Sequence, residues 1–181
     1  MKRLLLAAIL LLGSASSYAA CDNALDFTAK KLRSSQEINF CEAFAGKVLL
    51  VVNTASRCGF TPQFRDLEKV YQQYREQGLE IVGFPSNDFN QEHGEEEKIA
   101  EVCYVNYGVT FPMVSESHVR GPDANSFYAW LTKESGHEPQ WNFNKYLVDA
   151  NGKVVGAYPS HVTPMNEDFQ KTLQDSLAKA R

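Results

Sequence analysis

Long apolar runs are scarce in this chain. The main one, from Leu4 to Leu12, falls short of the ~20 residues that a membrane-spanning helix needs. It follows Lys2 and Arg3 and gives way to small residues ending in Ser17-Tyr18-Ala19. That order of basic, apolar and small regions predicts a signal peptide over 1–19, with cleavage after Ala19 and export to the periplasm. Strong charge of one sign is also missing. The net charge is −4 with no basic stripe, which argues against nucleic acid as a partner. The four histidines, His93, His118, His137 and His161, are scattered without ligand spacing, so no metal, haem or nucleotide cofactor is implied. There is no internal repeat, low-complexity stretch or Pro- or Ser-rich linker, and one domain is expected over 20–181, long enough for a sizeable core.

Cysteine is sparse too, with four residues, and export changes how they read. Cys21 and Cys41 lie before the first core strand, and in an oxidising compartment they can persist as a disulfide. Such a bridge closes a loop of about 20 residues, worth about 3 kcal/mol, and ties down the N-terminal segment. The plainer readings are two unpaired cysteines or Cys41 as a small core residue. A lipid-modified Cys21 is a rival, but that modification calls for an aliphatic residue three places earlier, where Tyr18 stands. It ranks below export without an anchor, and no stable membrane insertion is expected.

Cys58 has a more telling setting. In Val51-Val52-Asn53-Thr54-Ala55-Ser56-Arg57-Cys58-Gly59-Phe60-Thr61-Pro62 an apolar strand stops, a cysteine appears, and an amphipathic helix begins. Backbone N–H groups at a helix N-terminus stabilise an anion, so this is a place where a thiol is made reactive. The bland alternative is a partly buried cysteine at a strand–helix junction.

Hydrophobic periods supply the coarse organisation. Lys47 to Val52 reads as a strand buried on both faces. Thr61 is placed to cap a helix with Pro62 in its first position, and Phe64, Leu67, Tyr71 and Tyr74 keep helical spacing as far as Gly78. Leu79 to Phe84 is a second strand. Gly94 to Tyr107 is a second helix, with Glu95, Glu96 and Glu97 in its first turn, where the helix dipole favours acids. Phe127 to Thr132 is a third helix. Phe143 to Val148 and Lys153 to Tyr158 are strands joined through Asn151-Gly152, a hairpin signal. Pro164 opens a last helix carrying Phe169, Leu173 and Leu177. Early alternation demands parallel strands with crossover helices and the late hairpin antiparallel ones. The expected fold class is therefore α/β, with a mixed central sheet flanked by helices.

Four blocks, NTASRCGFTPQF, GFPSNDFNQE, VCYVNYGVTFPM and WNFNKYLVDANGKVV, occur in the order seen in the glutathione peroxidase family. The resemblance extends from about Asp26 to Tyr158 and implies a thioredoxin-like fold, in agreement with the element order. Carried over residue by residue, it puts the peroxide-reacting position on Cys58, here cysteine and not selenocysteine, with Gln91, Trp141 and Asn142 around it. The chemistry suits those residue types. A thiolate attacks one oxygen of an O–O bond, and neutral donors stabilise both the sulfur and the departing oxygen. Outside this context Trp141 reads as an ordinary aromatic, and Gln91 and Asn142 as loop residues. The sequence departs from the family pattern at one point. Only Asn90 separates Phe89 from Gln91, where two residues are usual, and His93 replaces a proline, so the loop must take a different path. Glu92, the nearest polar substitute, would place a carboxylate by the sulfur and is a poor one.

In cysteine-based members that use thioredoxin, a resolving cysteine lies in a block like EVCYVNYG, which Cys103 matches. Thr61 stands where thioredoxins carry their second cysteine. Condensation of Cys103 with a Cys58 sulfenic acid requires local unwinding of the second helix. The competing reading makes Cys103 a small buried hydrophobe. The short segment from Thr132 to Gln140 lacks the long interface insertion of the tetrameric glutathione-using members. Together with Cys103 it favours a monomer recycled by a thioredoxin-like reductant. The function expected from the resemblance is reduction of hydrogen peroxide and organic hydroperoxides. The alternatives are a glutathione-dependent cycle without Cys103, and a peroxide sensor or relay passing oxidation to a partner protein.

Overall fold

A computed structural model describes residues 25–180. The strand leading to Cys58 is its centre. β1 (Thr28–Lys30) and β2 (Glu37–Asn39) form an antiparallel hairpin, and α1 (Phe40–Phe44) follows at once. β3 (Val48–Thr54) is buried at every position. It is central because β4 (Leu79–Pro85) pairs with it in parallel, with Leu50 opposite Ile81, and β5 (Lys145–Val148) pairs antiparallel on the other side, with Val51 opposite Tyr146. β6 (Val154–Tyr158) completes the order β4-β3-β5-β6. The Asn151-Gly152 turn joins β5 to β6, with Gly152 at φ 78° donating its N–H to the Asp149 carbonyl at 2.9 Å.

Alternation along β3 divides the core in two, because successive side chains point to opposite faces of a sheet. Val48, Leu50 and Val52 pack with Phe64, Leu67 and Val70 of α2 (Gln63–Tyr74), and with Phe169, Leu173 and Leu177 of α5 (Glu167–Lys179). Leu49 and Val51 pack with Phe40 and Phe44 of α1, and with Phe127, Tyr128 and Leu131 of α4 (Ser126–Ser135). The mixed sheet flanked by helices is as expected. The ordered hairpin β1–β2 and the short α1 are additions, too brief to carry a hydrophobic period.

Several helix boundaries differ from the sequence expectation, among them α4, which runs on to Ser135 beyond the expected Thr132. Thr61 does not cap α2, because its buried hydroxyl is used by the turn that holds Cys58, and the helix starts from Pro62 without a side-chain cap. Pro164 does not open α5. Asn166 does, its side-chain oxygen accepting from the Phe169 N–H at 3.2 Å, as short polar N-caps do. The helix expected over 94–107 is α-helical only in α3 (Glu96–Ala100) and continues as a π-helical segment, Glu101–Asn106. The segment 1–19, expected as a signal peptide, and Cys21 lie outside the described residues. No helix among the described residues is long and apolar enough to cross a membrane.

Candidate active site

Three segments meet at the carboxyl ends of β3 and β4. The first is the turn after β3. Cys58 is buried there, and Thr61 knits the turn together. The Thr61 hydroxyl accepts from the Cys58 N–H at 3.1 Å and has the Ala55 and Cys58 carbonyls at 2.8 and 2.7 Å as acceptors for its single proton. The Phe60 N–H points at Sγ of Cys58, 3.4 Å away. The turn thus aims a neutral donor at the sulfur one residue pair before the helix begins.

The second segment follows β4. Of the three non-glycine residues with positive φ among those described, two belong to the site: Asn90 at 58° and Phe143 at 62°. Asn90 is where the short loop turns, since asparagine tolerates the left-handed region better than most residues. The turn carries Gln91 back to the cysteine loop, where the Gln91 carbonyl accepts from the Arg57 N–H at 3.0 Å. Glu92 adds two ties. Its carbonyl accepts from Nη2 of Arg57 at 2.6 Å, and its buried carboxylate accepts from the N–H groups of Ser56 and His93 at 3.1 and 2.9 Å. Burial pushes the Glu92 carboxyl above its usual range, against the pull of the Ser56 and His93 donors. Its role is to brace two loops.

The third segment, Trp141–Asn144, enters β5. Nδ2 of Asn142 donates to Oε1 of Gln91 at 2.9 Å, which leaves the Gln91 NH2 to donate elsewhere. Asn142 is wholly buried, and its own Oδ1 has no partner. Trp141 is 41 % exposed and leans on Phe89, ring centroids 5.4 Å apart. Trp141 and Phe60 together line an open cavity of about 510 Å³ with Tyr158, Ser160 and His161. The structure therefore assembles the loops of Cys58, Gln91, Trp141 and Asn142 into one site. A buried thiol with a backbone N–H on its sulfur, in a turn tied to the Gln91 loop, is equipped to attack an electrophile.

Cys103 is buried in the same hydrophobic cluster as Cys58, and both are free thiols. Burial pushes the Cys103 thiol up to about 12, and its Sγ lies 3.8 Å from the Ala100 carbonyl. As it stands Cys103 is an inert thiol. It sits, however, in the π-helical turn, whose wide hydrogen bonds include the Tyr107 N–H to the Val102 carbonyl at 3.2 Å. Such turns are less stable than α-helix and concentrate at functional sites. Among the described residues no group of His, Cys, Asp and Glu converges as metal ligands do.

Two buried polar residues of the site were not singled out from the sequence. Asn53 and Lys145 are both completely inaccessible. Nζ of Lys145 donates to the Phe143 carbonyl at 2.6 Å, and burial lowers its ammonium to about 7. The signal was present in both cases, as a polar residue bordering an apolar run, after it for Asn53 and before it for Lys145.

A family model described as glutathione peroxidase matches residues 24–132. The chain is 47 % identical over 144 residues to "Glutathione peroxidase homolog BsaA" of Bacillus subtilis (strain 168), covering 76 % of this chain and 86 % of that protein. It is 45 % identical over 140 residues to "Glutathione peroxidase-like peroxiredoxin 2" of Saccharomyces cerevisiae, covering 74 % and 85 %. Among solved structures it is similar to Trgpx in its apo form, with a TM-score of 0.68 at 33 % identity, covering 87 % of this chain and 97 % of that one.

Proposed function

Because the chain belongs to the glutathione peroxidase family, we propose that it is a thiol peroxidase that reduces hydrogen peroxide and organic hydroperoxides through Cys58. The observation that carries this reading is the assembly around the buried thiol, with the Phe60 N–H on Sγ and Gln91 bonded to Asn142. In the first step the Cys58 thiolate attacks one peroxide oxygen. The O–O bond breaks, the sulfur becomes sulfenic acid, and the other oxygen leaves as water or an alcohol after taking a proton. Gln91, Trp141 and Asn142 stabilise the charge on the departing oxygen.

In the second step Cys103 attacks the sulfenic sulfur, a disulfide forms and water leaves. Opening of the π-helical turn brings Cys103 out of its cluster and lets its thiol ionise. A thioredoxin-like dithiol then reduces the disulfide and becomes oxidised itself. This assignment of the reductant is supported by the free Cys103 and by relatives named glutathione peroxidase-like peroxiredoxins. The mature protein is proposed to be a periplasmic monomer with one domain over 20–181, tied at its N-terminus by a Cys21–Cys41 disulfide.

Peroxide consumption coupled to thioredoxin tests the cycle. Cys58→Ser is expected to lose all activity. Cys103→Ser should keep the first oxidation within about threefold of wild type while turnover with thioredoxin stops. Undiminished thioredoxin-dependent turnover in Cys103→Ser would remove Cys103 from the cycle, and turnover of that variant with glutathione alone would favour direct reduction of Cys58 by glutathione.

A further inference from the structure

Asn53 is the last residue but one of β3 and is completely buried. Pairing between β3 and β5 runs as far as Val52 opposite Lys145. Continued by one residue, it would set Asn53 against Asn144, but Phe143 is left-handed and turns the incoming chain out of strand geometry. Backbone groups at such a break are left without a ladder partner, and buried ones must find another. The Asn53 side chain supplies it. Its Nδ2 donates to the Trp141 carbonyl at 3.0 Å, and its Oδ1 accepts from the Asn144 N–H at 3.0 Å. The Asn53 carbonyl accepts from the Phe143 N–H at 2.6 Å. One residue thus grips the chain before, at and after Phe143, and the same strand ends in the turn that holds Cys58.

Resting on the reading of Cys58 as the peroxide-reacting thiol, we infer that Asn53 is the positioning residue of the site: its amide fixes the backbone on both sides of Asn142, and so holds the Asn142 side chain on Gln91 and the Trp141 ring at the cavity it shares with Phe60 of the cysteine turn. No other residue type meets the requirement at that point. Val or Thr would continue the strand, leave the Asn144 N–H without this acceptor, and leave the Trp141 carbonyl with only Nδ2 of Asn144, at 2.8 Å, as donor. Aspartate has the shape of asparagine, but only its protonated form has a donor for the Trp141 carbonyl. Lys145 and Ser160 hold the neighbouring carbonyls of Phe143 and Asn142 at 2.6 Å each, from outside β3. Neither ties the segment to the cysteine strand.

Three rates separate positioning from mere support of the fold. They are Cys58 oxidation by hydrogen peroxide, Cys58 alkylation by iodoacetamide, and thermal unfolding. Alkylation needs the same thiolate but places no oxygen leaving group among the donors. In Asn53→Ala the peroxide rate should fall about 30- to 100-fold, the scale of a misplacement of about 1 Å, with alkylation within about threefold of wild type. Asn53→Asp, which preserves shape should the alanine variant fold poorly, should approach wild type at low pH and lose peroxide rate as its carboxyl ionises, while its alkylation follows the wild-type pH profile. A wild-type peroxide rate in a folded Asn53→Ala, or peroxide and alkylation rates falling in parallel with the melting temperature, would overturn the role. If wild-type Cys58 alkylates but ignores peroxide, the peroxidase reading itself fails, and this role falls with it.

Discussion

Gln91 and Asn142 are plain loop residues by composition, and their value comes from where three loops put them. Since Asn142 takes the Gln91 carbonyl oxygen, Gln91→Ala removes a donor and also orphans a buried amide. Its peroxide rate is expected to fall roughly 10²-fold, as when one preorganised donor is lost, with the decrease in kcat and kcat/KM alike in steady-state assays. These residues were legible because their blocks resemble a family's. Asn53 and Lys145 were not: Asn53 follows an apolar run and reads as the strand simply ending, and Lys145 opens β5 as a lone polar residue ahead of its apolar stretch. Thr61 was misread for a related reason. Its sequence position suits a helix cap, but the hydroxyl is drawn into the Cys58 turn. Lys145 yields a prediction of its own. Its folded-state pKa of about 7 lies below the ordinary ~10.4, so between those values the unfolded chain binds the extra proton. Stability from this group therefore rises with pH across that window and is at its lowest below pH 7. Urea midpoints at pH 7, 8 and 9 should show wild type gaining steadily on Lys145→Met; parallel trends would refute it.

At the scale of elements, long periodic segments were legible and interruptions were not. The α5 face carries the buried residues that its spacing predicts, and α2 does so for Phe64, Leu67 and Tyr74, while Tyr71 is only partly buried and Val70 takes the core position beside it. The segment 94–107 shows a helical period too, but a period cannot tell an α-helix from one that widens at Glu101. The consequence is dynamic. Amides of 101–107 should exchange with deuterium faster than those of α5, and faster still after oxidation by peroxide; protection equal to α5 in both states would leave Cys103 no route out of the core. The end of α5 tests the corrected boundary. Asn166→Ala should cost about 1 kcal/mol in urea unfolding, as loss of an N-cap does, whereas Pro164→Ala should cost less. β4 offers a steric test. A Cβ at Gly83 would collide with the Met113 sulfur, so Gly83→Ala should destabilise by roughly 1–3 kcal/mol, reduced by whatever Met113 can yield.

Over the whole molecule, the architecture followed from order alone, because alternating strands and helices ahead of a hairpin permit few sheets. A mixed sheet of order β4-β3-β5-β6 places the ends of β3 and β4 side by side. That is why the cysteine loop after one strand and the Gln91 loop after the next meet without long insertions. The long-range ties across this edge, Arg57 to Gln91 and Glu92, and Asn53 to Trp141 and Asn144, could not be read from sequence. They join residues distant in the chain through backbone groups, which no residue pattern reports. Mass spectrometry with peptide mapping, before and after one equivalent of hydrogen peroxide, is the most direct test of the whole. The account predicts a new Cys58–Cys103 disulfide beside an unchanged Cys21–Cys41 bridge. Cys58 left reduced would contradict it.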